Sequence, residues 1–94
     1  MAVEWLVGAL ASLRVVAEYI AEDNPERSKR FVREVREKTE LLQQFPTLGR
    51  SGRVIDTREL VVHENYVIVY RMRRKNVQVL RVHHVRQKHP KRID

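Results

Sequence analysis

Residues 57–72, TRELVVHENYVIVYRM, contain two predicted strands and the turn between them. Side chains alternate between apolar and polar, and β-branched and aromatic residues, which favour extended backbone, dominate the second strand. Glu64-Asn65 provides the turn. Residues 73–76, RRKN, follow as a charged hairpin tip with Asn76 at a position that tolerates positive φ, and residues 77–84 continue as a third strand. This segment predicts an antiparallel sheet of three consecutive strands.

Two amphipathic helices precede the sheet. Apolar side chains recur every three or four positions from Leu6 to Ile20. Asn24-Pro25 divides this helix from the next, because proline suits the first turn of a helix and asparagine caps it. The second helix is predicted from Pro25 to about Gln44, where Phe45-Pro46 ends it. Its predicted buried stripe contains Ser28, Phe31, Val32, Val35, Thr39 and Leu42.

The order of elements predicts the fold class. Residues 2–5 alternate and predict a short strand, so the chain has the order β-α-α-β-β-β. We expect an α+β fold in which the N-terminal strand and an antiparallel helical hairpin pack on a small, mainly antiparallel sheet. Residues 1–94 are expected to form a single domain with a basic C-terminal tail from about residue 85.

The composition excludes several classes of protein. The 94 residues include no cysteine, which excludes a disulfide framework, a thiol nucleophile and a cysteine zinc site. No apolar run approaches the roughly 20 residues that span a bilayer, and the N-terminus has no signal-peptide pattern. The chain is therefore expected in the cytoplasm, without a membrane partner.

The positive charge is concentrated in one half of the chain. The net charge is +7. Residues 1–47 carry seven basic and eight acidic side chains, whereas residues 48–94 carry twelve and four. Arginine outnumbers lysine 14 to 5, which favours bidentate partners such as phosphate or carboxylate. Solubility alone explains such a balance; the alternative is a surface for nucleic acid or an acidic protein segment.

Four histidines lie in the last third of the chain, at positions 63, 83, 84 and 89. They do not have the spacing of a helical metal site, and the adjacent His83 and His84 are expected on opposite faces of a strand, so no metal site is predicted. Imidazole suits proton transfer near neutral pH. An exposed or structurally bonded role is the alternative for each of them.

Basic residues near the sheet could hold phosphate groups. Strict alternation divides the third strand into two faces. One face is expected to carry Val77, Val79, Arg81 and His83, and the other Gln78, Leu80, Val82 and His84. Arg58, His84 and Arg86 near the open side of the sheet would form a phosphate-binding hollow.

The loop Gly49-Arg50-Ser51-Gly52-Arg53 is explained by turn chemistry, although Arg50 and Arg53 could line a groove. Tyr70 is assigned to the core rather than to base stacking, and Lys88 in the tail to electrostatic attraction.

Five motifs follow one another over nearly the whole chain. They are EYIAEDNP (residues 18–25), FPTLGR (45–50), TRELVV (57–62), YVIVYR (66–71) and LRVHHVRQ (80–87). In this order they resemble the RelE/ParE superfamily of bacterial and archaeal type II toxins. This resemblance implies a small toxin that is neutralised by a cognate antitoxin, in a complex that is a candidate for binding operator DNA.

The resemblance implies two different activities. RelE-like members enter the ribosomal A site and cut mRNA without metal or cofactor, whereas ParE-like members block DNA gyrase and are not nucleases. Val67 stands where RelE-like toxins usually have an arginine, a departure from the nuclease pattern. Arg81-Val82-His83-His84-Val85-Arg86 also resembles the ParE pattern. A toxin scaffold without activity is the third alternative.

As a metal-independent endoribonuclease, the chain would need a base, an acid and charge stabilisation. His84 and His89 are assigned to proton transfer, and Arg58 and Arg81 to the reacting phosphate. The ribosome and mRNA are then the expected partners, and gyrase is the alternative. The residues assigned to RNA or phosphate binding are Arg50, Arg53, His63, Arg86 and Lys88.

Overall fold

The computed structural model describes residues 1–85. Its five-stranded sheet has the order β1-β5-β4-β3-β2, with β1 parallel to β5 and the other pairs antiparallel. The expected α+β class and the mainly antiparallel sheet are confirmed. The elements are β1 (Ala2–Trp5), α1 (Val7–Asp23), α2 (Pro25–Glu40), a 3-10 turn (Leu41–Gln43), β2 (Arg50–Ser51), β3 (Thr57–His63), β4 (Tyr66–Arg73) and β5 (Asn76–His84).

Asn24 joins the two helices as predicted. Its side-chain oxygen accepts a hydrogen bond from the Arg27 backbone N–H at 3.1 Å, and Pro25 occupies the first turn of α2. The Ser28 hydroxyl donates to the Ala17 carbonyl at 2.6 Å, which ties α2 to α1. The α-helix ends at Glu40 rather than about Gln44, because its last turn tightens into a 3-10 turn.

The core lies between the helical hairpin and one face of the sheet. From α2, Phe31 and Val35 are fully buried, as predicted, and from the sheet Ile68, Tyr70 and Val79 meet them. The burial of Tyr70 confirms its assignment to the core.

The predicted loop after the helices is more ordered than its composition indicated. Arg50–Ser51 pairs with Arg58 and Glu59 as a fifth strand. The Tyr70 hydroxyl donates to the Pro46 carbonyl at 2.8 Å and accepts from the Gly49 N–H at 2.9 Å. A Cβ at Gly49 would lie 2.7 Å from the Glu59 carbonyl oxygen, so close packing explains this glycine.

A β-bulge changes the face assignment predicted for β5. Val69 pairs with Arg81, but Tyr70 pairs with Val79, which leaves Leu80 as the extra residue. Val77, Val79 and Val82 therefore all face the helices. The prediction that Val82 lies on the face opposite Val77 and Val79 is wrong, since alternation cannot register an inserted residue.

The hairpin tip also differs from the expectation. Arg74, with φ 57°, adopts the left-handed conformation, rather than Asn76, which pairs with Arg73 as part of the strand.

Candidate functional site

Three of the predicted site residues line two separate grooves: His63 and His84 line one, and Arg58 lines the other. The first, which we call the imidazole groove, has a volume of about 550 Å³ and lies between the helix junction and the strand ends. The second, the arginine groove, has a volume of about 920 Å³ and lies at the other end of the sheet. The imidazole groove is lined by Tyr19, Ile20, Glu22, Asp23, Asn24, Arg27, His63, Asn65, Tyr66 and His84. The arginine groove is lined by Ser51, Gly52, Val54, Ile55, Asp56, Thr57, Arg58, Arg71, Met72, Arg73 and Leu80.

A chain of ring contacts forms one wall of the imidazole groove. The Phe31 ring meets His63 edge-on, with centroids 5.4 Å apart, and Tyr66 at 5.1 Å. Tyr66 in turn meets the His84 ring at 5.1 Å. These contacts bring His63 and His84 to one groove, where both line the same cavity.

His63 is held by an acidic residue of the helical hairpin. Its Nδ1 contacts Glu34 Oε1 at 2.5 Å, and the His63 side chain is only 16% exposed. β3 thus brings this imidazole to a carboxylate of α2. An imidazole packed on Phe31 and bonded to Glu34 joins α2 to the sheet.

Tyr66 lies between the two histidines of this groove. Burial raises the pKa of its phenol above the ordinary value, the neighbouring Tyr19 raises it further, and Arg27 opposes the shift. The hydroxyl therefore stays protonated at neutral pH and can donate a hydrogen bond, but it does not supply a base.

Arg81 and His84 lie on opposite faces of β5. His84 pairs with Tyr66 and shares its helix-facing side, whereas Arg81 is exposed and pairs with Val69 on the other side. The His83 Nδ1 lies 3.0 Å from the His84 carbonyl oxygen. His84, assigned to proton transfer, and Arg81, assigned to the reacting phosphate, are therefore on opposite faces of the sheet.

Arg58 lies at the far end of the sheet from His84. Arg58 pairs with Tyr70 and His84 with Tyr66, so four residues of β4, about 13 Å, separate the two positions. The Arg58 Nη1 donates to the Gly49 carbonyl at 2.7 Å and to the Thr47 carbonyl at 3.4 Å. This guanidinium binds the loop before β2. Arg58 and His84, two members of the predicted hollow, therefore line different grooves, and the third member, Arg86, lies outside the described residues.

The remaining predicted phosphate ligands are dispersed. Arg50 lies 3.4 Å from the Glu59 carboxylate, while Arg53 is exposed on the loop before β3. Neither lines the arginine groove. Arg86, Lys88 and His89 lie outside the described residues.

Two residues that sequence reasoning overlooked line the grooves. Arg27 lies close to the Asn24 cap and lines the imidazole groove. Arg71 lines the arginine groove, and its Nε donates to Oε1 of Gln78, its partner on β5, at 3.0 Å. The position of the helix cap could have indicated Arg27, whereas the register of β5 was needed for Arg71.

Within residues 1–85, no three or more His, Cys, Asp or Glu side chains lie together in a position to hold a metal ion. Neither helix of this part of the chain is long and apolar enough to cross a membrane.

Comparisons with known proteins agree with this architecture. The family model of the ParE toxin of the type II toxin–antitoxin system parDE matches residues 3–89. The putative toxin Y4kP of Sinorhizobium fredii is 36% identical over 89 residues, covering 94% of this chain and 92% of that protein. Toxin RelE2 of Caulobacter vibrioides is 32% identical over 82 residues, covering 87% and 92% respectively. A chain in the structure of the chromosomal ParDE toxin–antitoxin system from P. aeruginosa superposes with a TM-score of 0.83 at 26% identity, covering 90% of this chain and 96% of that one.

Proposed function

This chain belongs to the ParE toxin family of type II toxin–antitoxin systems, within the RelE/ParE superfamily, and from that premise we propose that it inhibits DNA gyrase without cleaving RNA. Membership implies a cognate antitoxin as its partner. The choice between the two activities of the superfamily depends on whether the candidate site can assemble catalytic groups.

The separation of the candidate groups supports inhibition by binding. Cleavage at a 2′-hydroxyl needs a base, an acid and a phosphate ligand within hydrogen-bond reach of one reacting centre. Arg81 and His84 face opposite sides of β5, and Arg58 is bonded to the backbone of its own loop. Val67, at the position where RelE-like toxins usually have an arginine, is only 2% exposed.

The arrangement of exposed apolar side chains supports an antitoxin contact on the helices. On α1, Val7 is 85% and Val15 is 65% exposed. Both project from the side of the helix opposite Ala9 and Leu13, which face the core. An apolar antitoxin segment would cover these residues, and acidic groups on it would complement the basic end of the sheet.

Inducible expression without the antitoxin, with pulse-labelling of DNA and protein synthesis, tests the activity. We expect DNA synthesis to fall first, with induction of the DNA-damage response, and the purified toxin to inhibit supercoiling by gyrase. An immediate fall in protein synthesis, with messages cut at translated codons, would overturn the proposal, as would the absence of any toxicity.

The RelE-like activity remains the second candidate because one relative is named Toxin RelE2. In that case the substitutions Arg81→Gln and His84→Ala would each abolish message cleavage. Under the gyrase proposal, messages stay intact with either variant and with the unmodified toxin.

A further inference from the structure

Within residues 1–85, the cations at the end of the β4–β5 hairpin have no acidic partner. Arg73, Arg74 and Lys75 are all exposed. The basic groups in ion pairs in this part of the chain are Arg14, Lys29, Arg50 and His63, and none of them belongs to the hairpin end. Asp56 is the acidic residue that lines the arginine groove, and Glu4 lines a smaller groove beside it.

The Glu4 carboxylate already accepts hydrogen bonds from neutral side chains. Its two carboxylate oxygens accept hydrogen bonds from the side-chain amides of Asn76 at 2.9 Å and Gln78 at 3.2 Å. Gln78 accepts in turn from the Arg71 Nε. Gln78 thus fixes the Arg71 side chain across the sheet, and this side chain makes no other hydrogen bond within the described residues.

Arg74 has a backbone conformation that does not suit its residue type. Its φ of 57° lies in the left-handed region, which glycine and asparagine adopt at lower cost. An arginine at this turn position lowers the stability of the hairpin relative to asparagine, so its side chain is better explained by binding than by folding.

We propose that Arg71, Arg73 and Arg74 bind the phosphate backbone of duplex DNA. Arg71 and Arg73 lie two residues apart on β4, about 7 Å, so two flexible guanidinium groups on the same strand face can reach different phosphates of one DNA strand. Both residues line the arginine groove and also a smaller groove of about 420 Å³ shared with Arg74, so the cations form one continuous strip. Guanidinium groups bind phosphate oxygens in bidentate geometry.

The choice of duplex DNA rests on the proposed function, since gyrase holds duplex DNA beside any inhibitor bound to it. At the hairpin end, β3 pairs with β4 only as far as Arg71, whereas β1 pairs with β5 at Asn76 and Val77. The β4 side of the hairpin end, which carries Arg73, is therefore open to a DNA backbone.

Fluorescence anisotropy with a labelled 20-base-pair DNA and the purified full chain tests the proposal across a series of salt concentrations. Three phosphate contacts give a slope of log affinity against log salt of about −2.7. The double variant Arg73→Gln, Arg74→Asn is expected to reduce this slope by about 1.8 and to weaken binding at low salt at least about tenfold. The matched control is Arg33→Gln, Arg36→Gln on the exposed side of α2, which has the same net charge and should leave the slope unchanged.

Arg74→Asn alone separates binding from folding. We expect it to keep or raise the melting temperature while it reduces the salt slope by about 0.9. Equal effects of the hairpin and α2 double variants would overturn the proposal, because binding would then depend on net charge alone. Equal affinity of the toxin for an RNA duplex would also overturn the proposal. So would a competition experiment in which an acidic peptide displaces the labelled DNA but unlabelled duplex DNA does not.

A gyrase supercoiling assay distinguishes this inference from the proposed function. Binding of DNA through the hairpin end without inhibition of gyrase would contradict the proposed function and leave this inference intact. If the toxin inhibits gyrase but its DNA binding does not depend on the hairpin end, this inference is contradicted and the proposed function is kept. If both hold, the double hairpin variant should need a higher concentration than the α2 control for half-maximal inhibition.

Discussion

Tyr70 connects the core of the sheet to the loop that follows the helices. Its ring is fully buried, and its hydroxyl bonds both the Pro46 carbonyl and the Gly49 N–H. Tyr70→Phe would leave both backbone groups without this partner. We expect a loss of about 1–2 kcal/mol of unfolding free energy at pH 7 with the fold retained. Urea denaturation measures the difference, and an unchanged midpoint would show that the hydroxyl adds nothing.

The same residue predicts a dependence of stability on alkaline pH. Burial raises the pKa of Tyr70 above its ordinary value of 10.0, although the Gly49 hydrogen bond and Arg58 oppose the shift. Folding therefore favours the neutral phenol, so its contribution is complete below about pH 10 and is lost as pH rises through the higher folded pKa. The gap in stability between the native protein and Tyr70→Phe should narrow above pH 10. A gap that stays constant to pH 11 would contradict this assignment.

Gly49 tests how tightly the same loop is packed. An added methyl group would meet the Glu59 carbonyl oxygen at 2.7 Å and the Tyr70 hydroxyl at 2.8 Å. Gly49→Ala should therefore cost about 1–3 kcal/mol. Gly8→Ala is the matched control, since a Cβ there meets its nearest atom at an ordinary 3.7 Å. Equal thermal denaturation midpoints for the two variants would show that the loop shifts to accommodate the methyl group without a loss of stability.

Individual site residues could be predicted from the sequence only in part. His63 and His84 share a groove, as the clustering of imidazoles indicated. The partners of these side chains were not predictable, because Glu34 meets His63 and Arg58 meets the Gly49 carbonyl through tertiary contacts. The residue type indicates which chemistry a side chain offers, whereas the tertiary contacts decide whether its polar groups are still available to bind a ligand.

At the scale of elements, the boundary between α1 and α2 depends on one side chain. Asn24→Ala removes the hydrogen bond to the Arg27 N–H and should lower stability by about 1 kcal/mol. Asp23→Ala is the control, because no hydrogen bond of the Asp23 side chain is formed within residues 1–85. Chemical denaturation of both variants checks the cap. If both variants lose the same amount of stability, the cause is the removal of a polar group at the junction and not the loss of the cap hydrogen bond.

The elements themselves were largely predictable, and their register was not. Strong periodicity located both helices and all the longer strands. The two-residue β2 is too short for any pattern, and the bulge at Leu80 interrupts the alternation of β5 without a glycine or proline to mark it. That single inserted residue brings Val82 to the helix-facing side and leaves Arg81 on the other, and it therefore determines which candidate groups can meet.

At the scale of the whole molecule, the two ends of the sheet have different character. The imidazole groove adjoins the helix junction and contains Glu22 and Asp23 beside its cation Arg27. The opposite end contains Arg58, Arg71 and Arg73 with Asp56 as the acidic residue of its groove. The surplus charge of the C-terminal half is thus presented in part as a localised basic end, which suits an anionic partner more than general solubility does.

Binding of the antitoxin should be visible as a change in the stability of the whole domain. A partner that binds only the folded toxin stabilises it by about 2.7 kcal/mol at a concentration 100 times its Kd, which corresponds to about 10–20 °C in a domain of this size. Val7→Glu combined with Val15→Glu should keep the melting temperature of the free toxin, because both side chains are already exposed. The same variant should lose most of the shift caused by the antitoxin. Leu41→Glu, at a residue 46% exposed on the 3-10 turn, is the control that should keep it. Differential scanning fluorimetry of the unmodified toxin and the two variants, each with and without antitoxin, measures these shifts. A full shift in the α1 variant would place the antitoxin elsewhere on the toxin.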